Sequence, residues 1–458
     1  MTAALDYLGN PVSSADPAVL AAVDDFVSGF LGYEARAADI VRAAAASDAA
    51  LVNAYAGALF MLMESPKGPP RARGFLMKAR AAAGANARER ATLDFLEAWT
   101  ADDIPRALRL SADIAAQWPR DLVMVKLNQY LAFNRGDAPA MLRIALSAAQ
   151  ASPDVAQVHG MVAFASEQCH LMKDAEAAGW RALDMTRREP WAQHALAHVM
   201  LTGGRIDEGE RFMQGASATW TGLNSFMVTH NWWHLALFRL SQGRDAEVLD
   251  VFDRHCWMGD RDYSQDQINA VSLLARLELA GVDVGDRWDD VADHLAARGL
   301  DTEQPFLTLQ YLYGLARVGR SEAGALLEAI RRRAVEAPPY CRDVWAEGAV
   351  PAAEGIVAWL SGDCDLAIGQ LERARPRLAR IGGSHAQRDL FDQIHLAALL
   401  KARHWVSAQQ ALELRRAFDP DGVPLNRTLA RVYEALDLPV HAAEARGRAE
   451  LTASRTAA

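Results

Sequence analysis

Histidine is concentrated in one part of this sequence, between residues 159 and 255, where seven of the twelve histidines lie. Four of the seven form two pairs with an i, i+4 spacing, His194 with His198 in HALAH and His230 with His234 in HNWWH. That spacing places both members of a pair on one face of an α-helix. Because neutral imidazole is a base near neutral pH and a common metal ligand, the pairs could transfer protons or hold a metal ion.

The residues around the pairs extend this candidate site with a carboxylate, an amide and indole rings. We assign proton transfer to Glu167, His198 and His234, because a carboxylate beside imidazole is a common acid–base arrangement. Large aromatic side chains with a polar edge suit the wall of a small-molecule pocket. The residues predicted to contact the ligand are Trp191, His194, His230, Asn231, Trp233 and Arg388. The alternative is structural: buried imidazoles would then bond to carbonyl groups where helices cross.

The two histidine pairs also raise the question of a metal. The candidate ligands of a divalent ion such as zinc are His194, His198, His230 and His234. The zinc-hydrolase signature, however, requires glutamate directly after the first histidine of H-x-x-x-H, and this chain has Ala195 and Asn231 there. Zinc is therefore compatible with the sequence but not favoured, and the cofactor is left open.

A second polar segment, GGSHAQRD at 382–389, supports two interpretations. Ser384 and Gln387 have the spacing of a capping box, which predicts the start of a helix. Alternatively, the glycines and Ser384 present backbone N–H groups to an anion, with Arg388 adding a charge-assisted contact. The spacing favours the cap.

Recurring turns indicate helical repeats. Gly-Arg or Gly-Asp turns follow helical patterns throughout the chain, and the turns at Gly136 and Gly204 are separated by two periods of about 34 residues each. The missing turn between them falls near His170. This period is that of tetratricopeptide repeats, in which two antiparallel helices stack on the next pair. Strand patterns are nearly absent.

The sequence therefore predicts an all-α fold, an α-solenoid that forms a right-handed, tetratricopeptide-like superhelix of antiparallel helix pairs. One domain over 1–458 is expected, with N-terminal repeats in 1–150, central repeats carrying the histidines in 151–300 and C-terminal repeats in 301–450. Both histidine pairs precede a turn and so lie on the first helix of a repeat, the one that lines the inner surface. Two segments rich in proline and glycine, 64–74 and 337–351, are predicted to be loops between helices.

Charge and composition limit the kinds of binding partner that we expect. The formal net charge of -10 gives no general basis for binding nucleic acid. The N-terminal stretch has no basic and apolar leader pattern, no segment is long and apolar enough for a membrane span, and four scattered cysteines suggest no disulfide framework. We expect a cytoplasmic protein with a small-molecule partner, no nucleic acid and no membrane, and a homo-oligomer is compatible with the sequence.

The central segments GMVAFASEQ, PWAQHALAHV and HNWWHLAL, together with IGGSHAQRDLF at 381–391, resemble the tetratricopeptide repeat protein 38 family. The resemblance covers roughly residues 100–400. It implies a single cytoplasmic superhelix and attaches no reaction to it. The residues that it implies to face one interior are Glu167, His194, His198, His230, Asn231 and His234.

This chain departs from the family pattern at two places. Asn269 stands where aspartate is usual, and Thr308 and Gln310 stand where Asp-x-His is usual. The resemblance then implies that this chain has lost part of a site or uses a different ligand.

Three functions follow as hypotheses. The first is a binding protein that holds a small polar or aromatic ligand in an interior pocket lined by His, Glu, Asn and Trp. The second is an enzyme, a hydrolase or lyase, that uses the same pocket for acid–base or metal-assisted chemistry. The third is a scaffold for protein–protein interaction. Histidine, tryptophan and glutamate on the inner helices favour a small ligand over a peptide.

Overall fold

The computed structural model of the chain describes residues 4–457, and it confirms the all-α fold class. Among these residues the extended segments are β1 (Ala4–Leu5) and β2 (Pro11–Val12), which pair as antiparallel strands, and an isolated bridge between Glu34 and Leu223. No helix of the described chain is both long and apolar enough to cross a membrane.

Helices follow one another along the chain. The first twelve are α1 (Pro17–Leu31), α2 (Asp39–Ala46), α3 (Ala50–Met61), α4 (Gly68–Ala81), α5 (Ala87–Thr100), α6 (Ile104–Gln117), α7 (Leu122–Phe133), α8 (Ala138–Ala151), α9 (Ala156–Gln168), α10 (Met172–Met185), α11 (Pro190–Thr202) and α12 (Ile206–Ala216). The others are α13 (Ser225–Ser241), α14 (Asp245–Val251), α15 (Ser264–Leu279), α16 (Arg287–Ala296), α17 (Pro305–Arg317), α18 (Glu322–Glu336), α19 (Arg342–Val344), α20 (Val350–Ser361), α21 (Cys364–Ala374), α22 (His385–Lys401), α23 (Trp405–Arg416), α24 (Val423–Ala435) and α25 (Pro439–Ala457). Short 3-10 segments occupy Ala35–Ala38, Ser217–Thr219 and Arg375–Ile381, and π-helical segments occupy Phe252–Cys256 and Trp345–Ala349.

The chain divides into two compact units. The first contains the residues up to Ala195 together with Thr219–Met227, and the second contains Leu196–Ala218 and the residues from Val228 onward. Inside each unit, helices that are consecutive in sequence pack against one another, as in an α-solenoid. The single superhelical domain expected over 1–458, with its parts 1–150, 151–300 and 301–450, stays a prediction.

Left-handed turns recur with the predicted period. The residues Asp102, Gly136, His170 and Gly204 have φ angles of 58, 68, 58 and 66°. They follow one another at equal intervals of about 34 residues, the tetratricopeptide period. The turn that lacks glycine in the sequence is therefore formed at His170. A non-glycine residue pays a steric cost in this conformation, but histidine is one of the residues that adopt it most often. The predicted repeat is confirmed in this part of the chain.

First and second helices of a repeat differ in burial as the solenoid prediction requires. In α9, 11 of 13 residues are buried, whereas α10 buries only Ala175, Gly179 and Ala182. A helix covered on nearly all sides lies between its neighbours, and one with a narrow stripe of small buried residues packs on one side only. Glu167 lies on α9, and the two histidine pairs lie on α11 and α13. Their predicted place on first helices is confirmed.

The two predicted proline-rich loops are shorter than expected. The 64–74 segment is helical from Gly68, because Pro69 and Pro70 occupy the first turn of α4, where a missing N–H costs nothing. In the 337–351 segment, helical structure resumes at Arg342 and continues through a π-helical segment into α20. Pro351 lies at the start of α20 and does not end the helix. Both loop predictions were therefore wrong over most of their length.

Close packing in the second unit depends on a glycine in α12. A Cβ atom on Gly209 would overlap the ring of Phe238, which is buried in α13. The two helices therefore approach at a distance that a side chain at position 209 would prevent.

We expect Gly209→Ala to destabilise the protein by about 1–3 kcal/mol, because the added methyl group overlaps the Phe238 ring and the core must shift. Gly215→Ala on the same helix is the matched control, since a Cβ there meets nothing within 4 Å. It should be neutral or stabilise by up to about 1 kcal/mol through helix propensity. Urea unfolding of both variants measures the difference. Equal stabilities of the two variants would contradict the packing described here.

Candidate histidine site in the second unit

Three histidines from two helices of the second unit lie together. His198 on α11 and His230 and His234 on α13 each place a ring nitrogen within 4.8 Å of the others. The ring centroids of His198 and His234 are 4.5 Å apart, and those of His230 and His234 are 4.8 Å apart. All three side chains are buried. We call this group the histidine cluster.

A fourth imidazole, which the sequence analysis did not select, lies beside the cluster. His385 is the first residue of α22, and its ring centroid is 5.4 Å from that of His198. The residue stands inside GGSHAQRD, but no regular spacing connects it with the histidines of the central repeats. Only the fold brings these two segments of the chain together.

The capping interpretation of GGSHAQRD is confirmed. The Ser384 hydroxyl accepts a bond from the N–H of Gln387 at 3.2 Å, and the Gln387 side chain accepts one from the N–H of Ser384 at 2.8 Å. Arg388 donates to the carbonyl oxygens of Gly382 and Gly383. Its guanidinium group therefore supports the turn that precedes α22. The predicted role of Arg388 in binding a ligand stays a prediction.

The orientation of His230 is fixed by a chain of hydrogen bonds. Asp266 accepts a bond from the Thr229 hydroxyl at 2.6 Å and from the N–H of Asp260 at 2.9 Å. Because the Thr229 proton is used in this way, Thr229 Oγ1 accepts a bond from the Asn269 Nδ2 group at 3.2 Å. The Asn269 Oδ1 atom then faces His230 Nδ1 at 2.9 Å. His230 must therefore carry its proton on Nδ1.

Burial keeps His230 neutral. Removal from water lowers its pKa to about 3, the bond to Asn269 acts in the opposite direction, and the nearby His198 adds to the lowering. With a proton on Nδ1, the neutral ring has its lone pair on Nε2. Any bond that the neutral His230 ring accepts, or any cation that it ligates, must therefore be at Nε2.

A buried cation lies over the ring of Trp233. Arg276 on α15 is buried, its guanidinium carbon lies 5.4 Å from the centre of the Trp233 ring, and it donates to the carbonyl oxygen of Ala386 at 2.7 Å. Burial lowers the Arg276 pKa to about 10, so the group remains charged at neutral pH. Trp233 also stacks on His230, with ring centroids 5.3 Å apart and planes within 8°.

Two buried amides of the second unit have no hydrogen-bond partner among the described residues. They are the side chains of Asn231 on α13 and Gln310 on α17, in which neither the oxygen nor the nitrogen is bonded. The indole N–H of Trp233 shares this condition. Gln310 lies one turn after Phe306, whose ring is close to Gly383 just before α22. Native proteins rarely leave such groups unsatisfied, so we expect each of them to bond to water or to another polar molecule.

The first unit contains the other residues predicted for the site. Trp191 stacks on His194 with ring centroids 4.4 Å apart, and it also contacts Phe164 and Tyr33. Glu167 is fully buried in α9 and accepts a bond from Gln168 at 2.6 Å. Trp191 and His194 thus pack together with other aromatic rings, and their predicted contact with a ligand stays a prediction. A pocket shared by Glu167, His194 and the histidine cluster stays a prediction.

The remaining histidines of the central segment have structural surroundings. His159 lies 3.1 Å from the Pro153 carbonyl oxygen, His170 forms a left-handed turn, and His255 stacks on Trp232 at 3.7 Å. The structural alternative, in which an imidazole bonds to a carbonyl group, therefore applies to His159. The four cysteines are free, in agreement with the expected lack of disulfides.

The three residues that depart from the family pattern, Asn269, Thr308 and Gln310, have different surroundings in the structure. Asn269 belongs to the site, because it holds His230. Thr308 Oγ1 donates to the carbonyl oxygen of Gln304 at 2.8 Å, at the start of its own helix, and is a structural residue. Gln310 is one of the two amides without a partner among the described residues.

Fold and repeat define the chain as a tetratricopeptide-like helical-repeat protein. No family model matches the sequence. Solved structures with a similar course of helices include a human IFIT1 dimer with PPP-AAAA, at 12% identity, covering 91% of this chain and 94% of that chain with a TM-score of 0.43. Yeast Tom70 matches at 13% identity, covering 89% of this chain and 96% of that chain with a TM-score of 0.34. These similarities are too distant to bear on ligand or activity.

The lowered pKa of His230 predicts a pH dependence of stability. In the unfolded chain this histidine binds a proton below about pH 6.5, whereas the folded chain does not bind it until about pH 3. Stability therefore falls as the pH drops through this window, by up to about 1.4 kcal/mol per pH unit. We expect His230→Gln to lack this contribution, so that its stability approaches that of the original protein as the pH falls.

Urea unfolding at pH 7.5, 6.0 and 5.0, with a chelator present, measures the effect. The difference in unfolding free energy between the two proteins should shrink between pH 6.0 and 5.0. Parallel pH profiles would show that His230 titrates as in an unfolded chain, which would contradict its burial.

Proposed function

We propose that the protein binds a small molecule that carries hydrogen-bonding groups, in the interior of its second unit. The residues proposed to contact it are His198, His230, Asn231, Trp233 and His234. Imidazole and amide groups bind by donating and accepting hydrogen bonds, and the indole N–H of Trp233 is a further donor. This chemistry favours a polar ligand over an aliphatic one, and the preference for an aromatic ring in the ligand stays a prediction.

One observation carries the proposal: Asn231 is fully buried and neither atom of its amide group has a partner among the described residues. A buried polar group left in this state costs about 1–3 kcal/mol. A ligand that accepts from Nδ2 and donates to Oδ1 would remove the cost. Asn231 directly follows His230 in α13, and the proton position of His230 is fixed by Asn269.

Membership of the tetratricopeptide repeat protein 38 family is part of the proposal. It is supported by the contact between the two segments that carry the resemblance, since His385 of IGGSHAQRDLF lies beside His198 of PWAQHALAHV. Segments that are remote in sequence would be retained together if both served one site. The enzymatic alternative, with Glu167, His198 and His234 as proton carriers, and the scaffold alternative both stay predictions.

Asn231→Leu separates binding from folding. Leucine has nearly the shape of asparagine and removes the unsatisfied groups, so the variant should be as stable as the original protein or more stable. It should bind the ligand at least about 10-fold more weakly, because it offers no hydrogen bonds. A ligand is first found by native mass spectrometry of the purified protein and by a thermal-shift screen of polar and aromatic metabolites, and its affinity is then measured by calorimetry.

Asn426→Leu is the matched control in the same unit. Asn426 is equally buried, but it donates to the carbonyl oxygens of Pro420 and Gly422 and accepts from Arg448. Its replacement should lower stability by about 1–3 kcal/mol and leave ligand affinity unchanged. The proposal fails if Asn231→Leu destabilises the protein as much as Asn426→Leu, or if it binds the ligand as tightly as the original protein does.

A further inference from the structure

The histidine cluster has the composition of a metal site. His198, His230 and His234 bring three ring nitrogens within 4.8 Å of one another. In a tetrahedral zinc site with bonds of about 2.0–2.1 Å, the ligand nitrogens are roughly 3.3 Å apart. The cluster therefore needs a closure of at most about 1.5 Å to reach this geometry, which small rotations of the imidazole rings supply.

The proton position on His230 is the one that a metal ligand requires. Histidine ligates a metal with one nitrogen while the other donates its N–H to an oxygen acceptor, which fixes the tautomer and the direction of the ring. Asn269 provides that acceptor for Nδ1, at 2.9 Å. The chain from Asp266 through Thr229 prevents Asn269 from presenting its nitrogen there instead. The ring nitrogen that can ligate a cation is therefore Nε2.

From this arrangement we infer that His198, His230 and His234 bind a divalent transition-metal ion such as Zn²⁺, with Asn269 as the residue that positions His230. The inference rests on the proposed function, because the ion would lie in the same ligand site. The position is deeply buried and lined by imidazole, which suits zinc, nickel or copper better than magnesium or calcium.

Three protein ligands leave a coordination position open, as in catalytic zinc sites. A ligand atom or water would occupy it. The residues directly after His194 and His230 are Ala195 and Asn231, so the base of the usual zinc-hydrolase motif is missing, but coordination does not depend on it. The ion would therefore act first by orienting a polar group of the bound molecule.

The test is a titration of the intact chain, freed of metal by a chelator, with Co²⁺ and then Zn²⁺. Tetrahedral Co²⁺ with nitrogen ligands has strong visible absorption, so the spectrum reports coordination independently of any activity. We expect one ion per chain, with displacement by Zn²⁺. His230→Gln and His234→Gln should weaken binding by more than about 10-fold, and Asn269→Leu by about 10- to 100-fold.

Two further variants separate positioning from folding. Asn269→Asp keeps an acceptor for the His230 N–H and should restore tight binding that Asn269→Leu loses. His395→Gln replaces another buried histidine of the second unit, outside the cluster, and should bind Co²⁺ as the original protein does. Circular dichroism and melting temperatures establish that each variant is folded.

Absence of stoichiometric, spectrally active Co²⁺ in the original protein would overturn the inference whatever the variants do. The inference would also be overturned if His230→Gln and His234→Gln bound Co²⁺ as tightly as the original protein does. If no ion binds but an organic ligand binds in a manner that depends on Asn231, the metal inference fails and the proposed function stands. If the ion binds and Asn231→Leu changes no ligand affinity, the proposed function fails and the metal site stands.

Discussion

Polar side chains on the first helices of the second unit must find their hydrogen bonds inside the protein, because these helices are covered on nearly all sides. The chain that leads from Asp266 through Thr229 and Asn269 to His230 satisfies this requirement for one part of the site and sets the direction of every bond in it. The same requirement is unmet at Asn231 and Gln310 among the residues that the structure describes.

A contact between distant helices completes the site. Arg276 on α15 donates to the carbonyl oxygens at the start of α22, and the capping box of Ser384 and Gln387 fixes where that helix begins. As a result His385 lies beside His198, although the two histidines are remote from each other in sequence. The charged group of Arg276 remains buried under Trp233, where aromatic contact and carbonyl oxygens replace its water. Bonds of this kind determine where α22, and with it the His385 imidazole, lies.

The helical repeat and the helices that carry the histidine pairs could be predicted from the sequence, because both depend on residue spacing. The repeat period led to the turn at His170, and the i, i+4 spacing placed each histidine pair on one face of a first helix. The proline-rich segments were misjudged because Pro69 and Pro351 lie in the first turn of a helix, where proline is tolerated. His385 and Asn269 could not be assigned to the site, since their contacts depend on how α13, α15 and α22 pack. Likewise, residue spacing does not indicate that His255 stacks on Trp232, whereas His230 belongs to the histidine cluster.

The most direct test of the account is the position of the proton on His230, which decides whether Nε2 can receive a ligand or an ion. Long-range ¹H–¹⁵N NMR of the protein labelled at its histidines reports the state of each imidazole nitrogen, and His230→Gln identifies the signal. The hydrogen-bond chain predicts a neutral ring protonated at Nδ1 from pH 8 down to about pH 5, because its pKa is lowered to about 3. A ring protonated at Nε2, or an imidazolium in this range, would contradict the account.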